Sequence, residues 1–254
     1  MTPIPYKAGM SVTDVGFIYP GLTFGSPQSH RKMAAHLAKA YNCVALSIDY
    51  RLSPEHRFPA AIDDGVNAYK FLLDSGFKPE LVVTMGDSCG GHLATSVPIS
   101  ARAKGLPVPA CAVALSPWYN LTHKGPTTKL NAQNDMLSTD ATLSGMAESF
   151  IRDTGARLDD PLVSPLYADV KGLPPHWLSI AGHDMLKSGG DEMAEKMRKE
   201  GVEVVCEVHE GMQHVFEFMA GRAPEADRSI RMIGEWVKEK IGSQNERSYC
   251  SRTY

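Results

Sequence analysis

Short apolar runs alternate along the chain with longer stretches in which apolar residues recur every three or four positions. The runs fall at 14–19 (DVGFIY), 43–48 (CVALSI), 81–86 (LVVTMG), 110–116 (ACAVALS), 176–181 (HWLSIA) and 203–209 (EVVCEVH). Most are too continuously apolar to leave one face wet, which is the pattern of parallel strands covered by helices on both sides. Between them, 28–41, 59–75, 90–104, 188–200 and 225–241 predict helices. In the last of these, Ile230, Ile233, Trp236 and Val237 form one apolar stripe at helical spacing. The alternation predicts an α/β fold: a doubly wound, mostly parallel sheet with helices on both faces.

Residues 117–162 break the rhythm. They hold no clear strand, and a helix is expected only at about 138–153. An insertion of this length between core elements reads as a small helical cap or lid, with Met136, Met146, Phe150 and Ile151 as its apolar underside. The polar stretch 244–254 (QNERSYCSRTY) is expected to be a disordered tail. The organisation expected is one domain over 1–243 with the cap inserted at 117–162.

Composition narrows the function classes. The chain has 254 residues, 43% hydrophobic and 22% charged, which fits one domain with a sizeable core. The net charge is −3 and the basic residues are scattered, so there is no footprint for nucleic acid. No apolar run approaches the roughly 18–20 residues that span a bilayer. The first residues, MTPIPYKAGMSV, lack the charged-then-apolar order of a secretory leader. Five dispersed cysteines, an odd set, fit a reducing, cytoplasmic setting. Neither H-E-x-x-H nor C-x-x-C occurs, so no metal and no cofactor is expected. A homodimer stays open.

The chemistry concentrates in "VVTMGDSCGGHLA" (82–94). Gly86-Asp87-Ser88-Cys89-Gly90 matches G-x-S-x-G directly after an apolar strand and directly before a helix. That context turns a common pattern into a specific one. Such a turn holds Ser88 in a strained conformation, with its hydroxyl projecting from the sheet edge. The helix N-terminus favours negative charge there, and the N–H of Cys89 can face an oxyanion. A serine at its ordinary pKa is a poor nucleophile and needs a base, which in turn needs an orienting acid. Asp184 follows the strand at 176–181 and His214 follows the strand at 203–209, so both fall at carboxyl ends of strands. The bland alternatives are a capping serine, a helix-capping aspartate and a surface histidine. Asp191 is the rival acid, but it lies inside a predicted helix. His183 is the rival base, but its place next to Asp184 makes it a poor partner.

These motifs resemble those of the hormone-sensitive-lipase-like branch of the α/β hydrolases. "GDSCGG" is similar to its G-D-S-A-G-G turn. "DYRLSPEHRFPAAIDD" (49–64) looks like its Y-R-L-A-P-E segment, and "SPLYADVKGLPP" (164–175), "AGHDML" (181–186) and "GMQHVF" (211–216) match later landmarks. The resemblance covers about 14–240. It implies an α/β-hydrolase fold with a helical cap, hydrolysis of carboxylic esters, and the triad Ser88, Asp184 and His214. The family's N-terminal strands and part of its cap lack counterparts, so the sheet is expected to be shortened at one edge and the site more open. The family's H-G-G-G oxyanion segment lines up on Ile18, Tyr19, Pro20 and Gly21. Proline has no N–H. The resemblance therefore leaves Gly21, with Cys89, as oxyanion donors and implies a slowed rather than a dead enzyme.

The function expected is a serine carboxylesterase acting on small to medium uncharged esters through an acyl-enzyme. A lactone hydrolase or acyltransferase on the same triad is the nearest rival. A weakly active or silent ligand-binding protein on the same fold is the other. Trp118 and Tyr119, after a strand end, are candidates to line an acyl pocket, with core packing the equal alternative. Asp49, Tyr50, Arg51, Glu55 and His56 are expected to form a structural loop and ion-pair network.

Overall fold

The computed structural model describes residues 25–242 in full, together with the backbone of a strand at Val15–Tyr19 and of a helical continuation through Cys250. The strands are β1 (Val15–Tyr19), β2 (Val44–Ser47), β3 (Val82–Asp87), β4 (Cys111–Leu115), β5 (His176–Ala181) and β6 (Val204–His209). They form one sheet in the order β2-β1-β3-β4-β5-β6, and every neighbouring pair is parallel. The helices are α1 (Pro27–Tyr41), α2 (Ala60–Asp74), α3 (Cys89–Ala103), α4 (Thr127–Leu130), α5 (Asp140–Ile151), α6 (Lys187–Lys199) and α7 (Pro224–Cys250). The periodic stretches therefore became the expected elements with ends shifted by one or two residues, α7 excepted. That helix runs on through 244–250, where the polar composition had suggested an irregular tail. A helix already anchored by a buried stripe can extend through polar residues, because propagation needs no further nucleation.

Local chemistry explains the element ends. Ser26 caps α1 and exchanges hydrogen bonds with Ser29 in a capping box, with Pro27 at the first helical position. The helix stops at Asn42, which takes the left-handed conformation that asparagine tolerates. Thr139 and Thr142 make the same reciprocal cap for α5.

Alternate strand residues feed opposite faces of the sheet. Val83 and Met85 of β3 pack with Met33 and Leu37 of α1 and with Ile233 and Val237 of α7. Val82 belongs to the other face, with Ile62 and Val66 of α2 and Leu93 and Val97 of α3. On β5, Trp177 joins the α1–α7 side, while Leu178 and Ile180 meet Met193 and Met197 of α6. Each such side chain stabilises the fold by about 1.5–3 kcal/mol on full burial.

Strand order runs from β1 to β2 in one direction and from β3 through β6 in the other. The direction switches between β1 and β3, whose ends pair at Tyr19 and Gly86. Open α/β sheets bind ligands at the carboxyl ends of strands beside such a switch. Above this edge lies the segment between β4 and β5. Its helix α5 buries Leu143, Ala147 and Phe150. Phe150 meets Phe58 and His92 edge-on, at 5.6 and 6.3 Å between ring centres. Met146 and Ile151 pack against the same cluster. Met136, expected with them, is instead 84% exposed, as are most of Leu130 and Leu137.

Candidate active site

β3 ends at Asp87 and α3 begins at Cys89, so the chain reverses direction at Ser88 alone. Ser88 has φ 55° and ψ −118°, outside the ordinary regions for a residue with a side chain. Such a conformation costs on the order of 1–3 kcal/mol and persists only where the surroundings impose it. Here the N–H of Ser88 donates to the Leu115 carbonyl at 2.8 Å, and its carbonyl accepts from the N–H of Trp118 at 3.1 Å. Strand and helix approach so closely that a Cβ on Gly86 would lie 2.3 Å from the Gly90 carbonyl oxygen. The glycine is a steric requirement of the turn. Cys89 opens α3 and stands at the positive end of its dipole.

Asp184 lies three residues beyond β5 and is 1% exposed. Its Oδ1 accepts from the N–H of Leu186 at 2.8 Å, and its Oδ2 accepts from Nδ1 of His214 at 2.7 Å. That bond places the imidazole proton on Nδ1 and leaves Nε2 with its lone pair. Burial disfavours the charged ring. The Asp184 carboxylate and its hydrogen bond, with the charges of Asp135 and Asp87, outweigh burial and raise the His214 pKa above its ordinary value. The next residue, Val215, donates its N–H to Ser116 Oγ at 3.0 Å. Ser116 is two residues from Trp118, which holds the Ser88 carbonyl. The base turn is thus tied to the serine turn through β4. Ser116 (φ 43°) and Val215 (φ 51°) are themselves strained, as Ser88 is.

Of the rivals, Asp191 pairs with Lys187 at 2.6 Å one turn along α6. His183 is held by its backbone, which donates to the Met212 carbonyl at 3.0 Å. On the other flank of Ser88, His30 of α1 meets the Asp87 carboxylate at 3.3 Å. Burial again disfavours charge on His30, and Asp87 raises its pKa nevertheless.

Trp118 and Tyr119 are both buried. Tyr119 is fully buried and its hydroxyl is bonded to Thr95 at 2.8 Å. Trp118 is 2% exposed and stacks on His123 at 5.4 Å. Trp118 also borders a small cavity with Asn120, His123, Met185 and Leu186. Pro20 and Gly21 lie outside the described residues. Of the loop network, Arg51 forks onto Asp64 at 2.7 and 2.9 Å.

Three polar residues beside the triad candidates were not singled out from sequence: Asn131, Asp135 and Gln213, the last inside the GMQHVF segment. All belong to, or bond with, the loop between α4 and α5. Only the place of Gln213 next to His214 could have drawn attention from sequence. Among the described residues no group of three His, Cys, Asp or Glu side chains is arranged to hold a metal ion. No helix there is long and apolar enough to cross a membrane.

The chain is similar to known hydrolases. The family described as alpha/beta hydrolase fold matches residues 20–218. An acetyl-hydrolase of Streptomyces hygroscopicus is 35% identical over 218 residues, covering 86% of this chain and 72% of its own length. A crystal structure of an esterase from the bacterial hormone-sensitive lipase family superposes with a TM-score of 0.89 at 34% identity, over 93% of this chain and 80% of that one. A crystal structure of EstE5 soaked with p-nitrophenyl butyrate gives 0.88 at 35% identity, over 92% and 78%.

Proposed function

The chain belongs to the alpha/beta hydrolase fold family and is a carboxylic ester hydrolase, and from that premise we propose that Ser88, His214 and Asp184 carry the reaction as nucleophile, base and orienting acid. The observation that supports this is the strained Ser88 turn, joined through Trp118 and Ser116 to a base turn whose histidine is bonded to a buried carboxylate. Ser88 Oγ attacks the ester carbonyl while His214 Nε2 takes its proton. The tetrahedral oxyanion sits at the N-terminus of α3, against the N–H of Cys89 and, by resemblance, of Gly21. Pro20 contributes no donor at its position. Collapse expels the alcohol, which receives the proton from His214, and leaves the acyl group on Ser88. Water then attacks the acyl-enzyme, gives its proton to His214, and the acid leaves with Ser88 restored. Asp184 holds the tautomer and stabilises the imidazolium formed in each half.

The substrates proposed are uncharged esters with small to medium acyl groups. An acetyl-hydrolase among the relatives and a neighbour soaked with a butyrate ester support the short-chain preference. The setting proposed is the cytoplasm, on the dispersed cysteines. The test is hydrolysis of p-nitrophenyl acetate and butyrate by Ser88→Ala. Loss of activity in a folded variant is expected, and a rate within about tenfold of wild type would exclude Ser88, since removing one triad member costs far more.

A further inference from the structure

The turns bearing Asp184 and His214 meet through backbone bonds from the N–H of Gly182 to the His209 carbonyl at 2.9 Å and from the N–H of His183 to the Met212 carbonyl at 3.0 Å. Around Asp184 the local backbone bonds are long, at 3.3 Å to Ala181 and to Lys187. The base turn follows Gly211 at φ 75°. Side chains of the 131–138 loop bond to the acid turn as well, and Gln213 bonds the base turn to the same loop. Asn131 Nδ2 donates to the carbonyls of Gly182 and Asp184 at 3.0 and 2.8 Å. Asp135, 8% exposed, accepts from the N–H of Met185 at 3.0 Å through Oδ2. Its Oδ1 accepts from the N–H groups of Leu137 and Ser138 at 2.9 and 2.8 Å. On the base side, Gln213 Oε1 accepts from the N–H of Met136 at 2.9 Å, and its Nε2 donates to the Asn134 carbonyl at 2.9 Å.

We propose that Asp135 is a positioning residue for ester hydrolysis: it folds the 131–138 loop and pins it to Met185, so that the loop, through Asn131 and Gln213, sets the spacing of Asp184 and His214. The seating of the cap then decides whether the base is competent. This inference rests on the assignment of Ser88, His214 and Asp184. A fixed Asp–His geometry matters because displacements of about 1 Å can cost 10²-fold in rate. The carboxylate adds a second effect, since Asp135 is one of three acidic groups acting on His214, with Asp184 after β5 and Asp87 at the end of β3, the latter paired with His30 of α1.

Asp135→Asn separates the clamp from the loop turn. The amide oxygen can still accept from Leu137 and Ser138, while the amide NH₂ faces the N–H of Met185, donor against donor. The experiment measures kcat and KM on p-nitrophenyl butyrate from pH 5 to 9 for wild type, Ser88→Ala, Asp135→Asn and Gln213→Leu. Asp135→Asn is expected to lower kcat by about 10- to 100-fold with little change in KM, and to move the acid limb of kcat/KM to lower pH. Gln213→Leu, at a half-buried position, is expected to lower kcat about fivefold by removing two hydrogen bonds. It decides the matter should Asp135→Asn not fold. Unchanged kcat and acid limb in a folded Asp135→Asn, or unchanged kcat in Gln213→Leu where the former is insoluble, would overturn the clamp alone. Ser88→Ala as fast as wild type would overturn the triad and the clamp with it.

Discussion

His92 and His214 live in opposite electrostatic surroundings. His92 lies one turn into α3 and is fully buried, its Nε2 bonded to the Val163 carbonyl at 3.0 Å and no carboxylate beside it. Burial pushes its pKa down to about 4, so it stays neutral. His214 is part-buried, its side chain 13% exposed, and Asp184, Asp135 and Asp87 hold its pKa up. The same contrast runs through the two halves of the site. The serine half is built from a glycine contact within five consecutive residues and from main-chain bonds to Leu115 and Trp118 at the end of β4. The acid–base half is built from carboxylates and amides contributed by loops dozens of residues apart. A nucleophile needs only a fixed backbone to project it, whereas a base that must gain and lose a proton needs charges placed around it.

The largest effect is expected on the acid–base half. Asp184→Asn should lower kcat by about 10³-fold or more in a folded protein, because the amide favours the wrong imidazole tautomer. Steady-state kinetics with p-nitrophenyl butyrate checks it, and a loss under tenfold would put the orienting acid elsewhere. The serine half should respond differently. Gly86→Ala forces a Cβ to within 2.3 Å of the Gly90 oxygen. Since backbone must move, a loss of about 1–3 kcal/mol in urea-determined stability is expected, with activity reduced about 10²-fold. Activity falling with stability intact would mean that the glycine acts on something other than packing.

The smallest effects are those of pH, and the two histidines should show opposite signs. A raised folded pKa at His214 gives stability that is fully present below about pH 6.5 and is lost as pH rises through the folded value. His92, and His176 on β5, also pushed down to about 4 by burial, remain neutral in the fold. They favour the folded state above about pH 6.5, and that stability is lost as pH falls toward 4, by up to about 1.4 kcal/mol per pH unit for each histidine. Urea midpoints should therefore drop between pH 6.5 and 4, and less so in His92→Gln. The acid limb of kcat/KM should instead have its midpoint above the ordinary histidine value, because His214 must be neutral to act.

The serine half was legible in the sequence because its motif is local. Gly86, Ser88 and Gly90 sit in five consecutive residues, and the strand before them and helix after them announce themselves by periodicity. The places of Asp184 and His214 were legible for a related reason, since strand ends are readable and chain order selects among them. Asn131 and Asp135 were not. Their loop is polar and aperiodic, and their partners at Gly182–Met185 lie some fifty residues away, so no pattern along the chain encodes the contact. Trp118 and Tyr119 left two readings open because an aromatic pair after a strand looks the same whether the chain beyond it covers the pair or leaves it open. Met136 misled, since hydrophobicity alone does not say which residues a loop turns outward.

The most direct test of the account is covalent. Wild-type protein and Ser88→Ala are treated with a fluorophosphonate, and the adduct is located by peptide mapping. The account predicts one adduct, on Ser88, absent from Ser88→Ala and formed far more slowly in His214→Ala. An adduct on another residue, or labelling of Ser88→Ala at the wild-type rate, would contradict it.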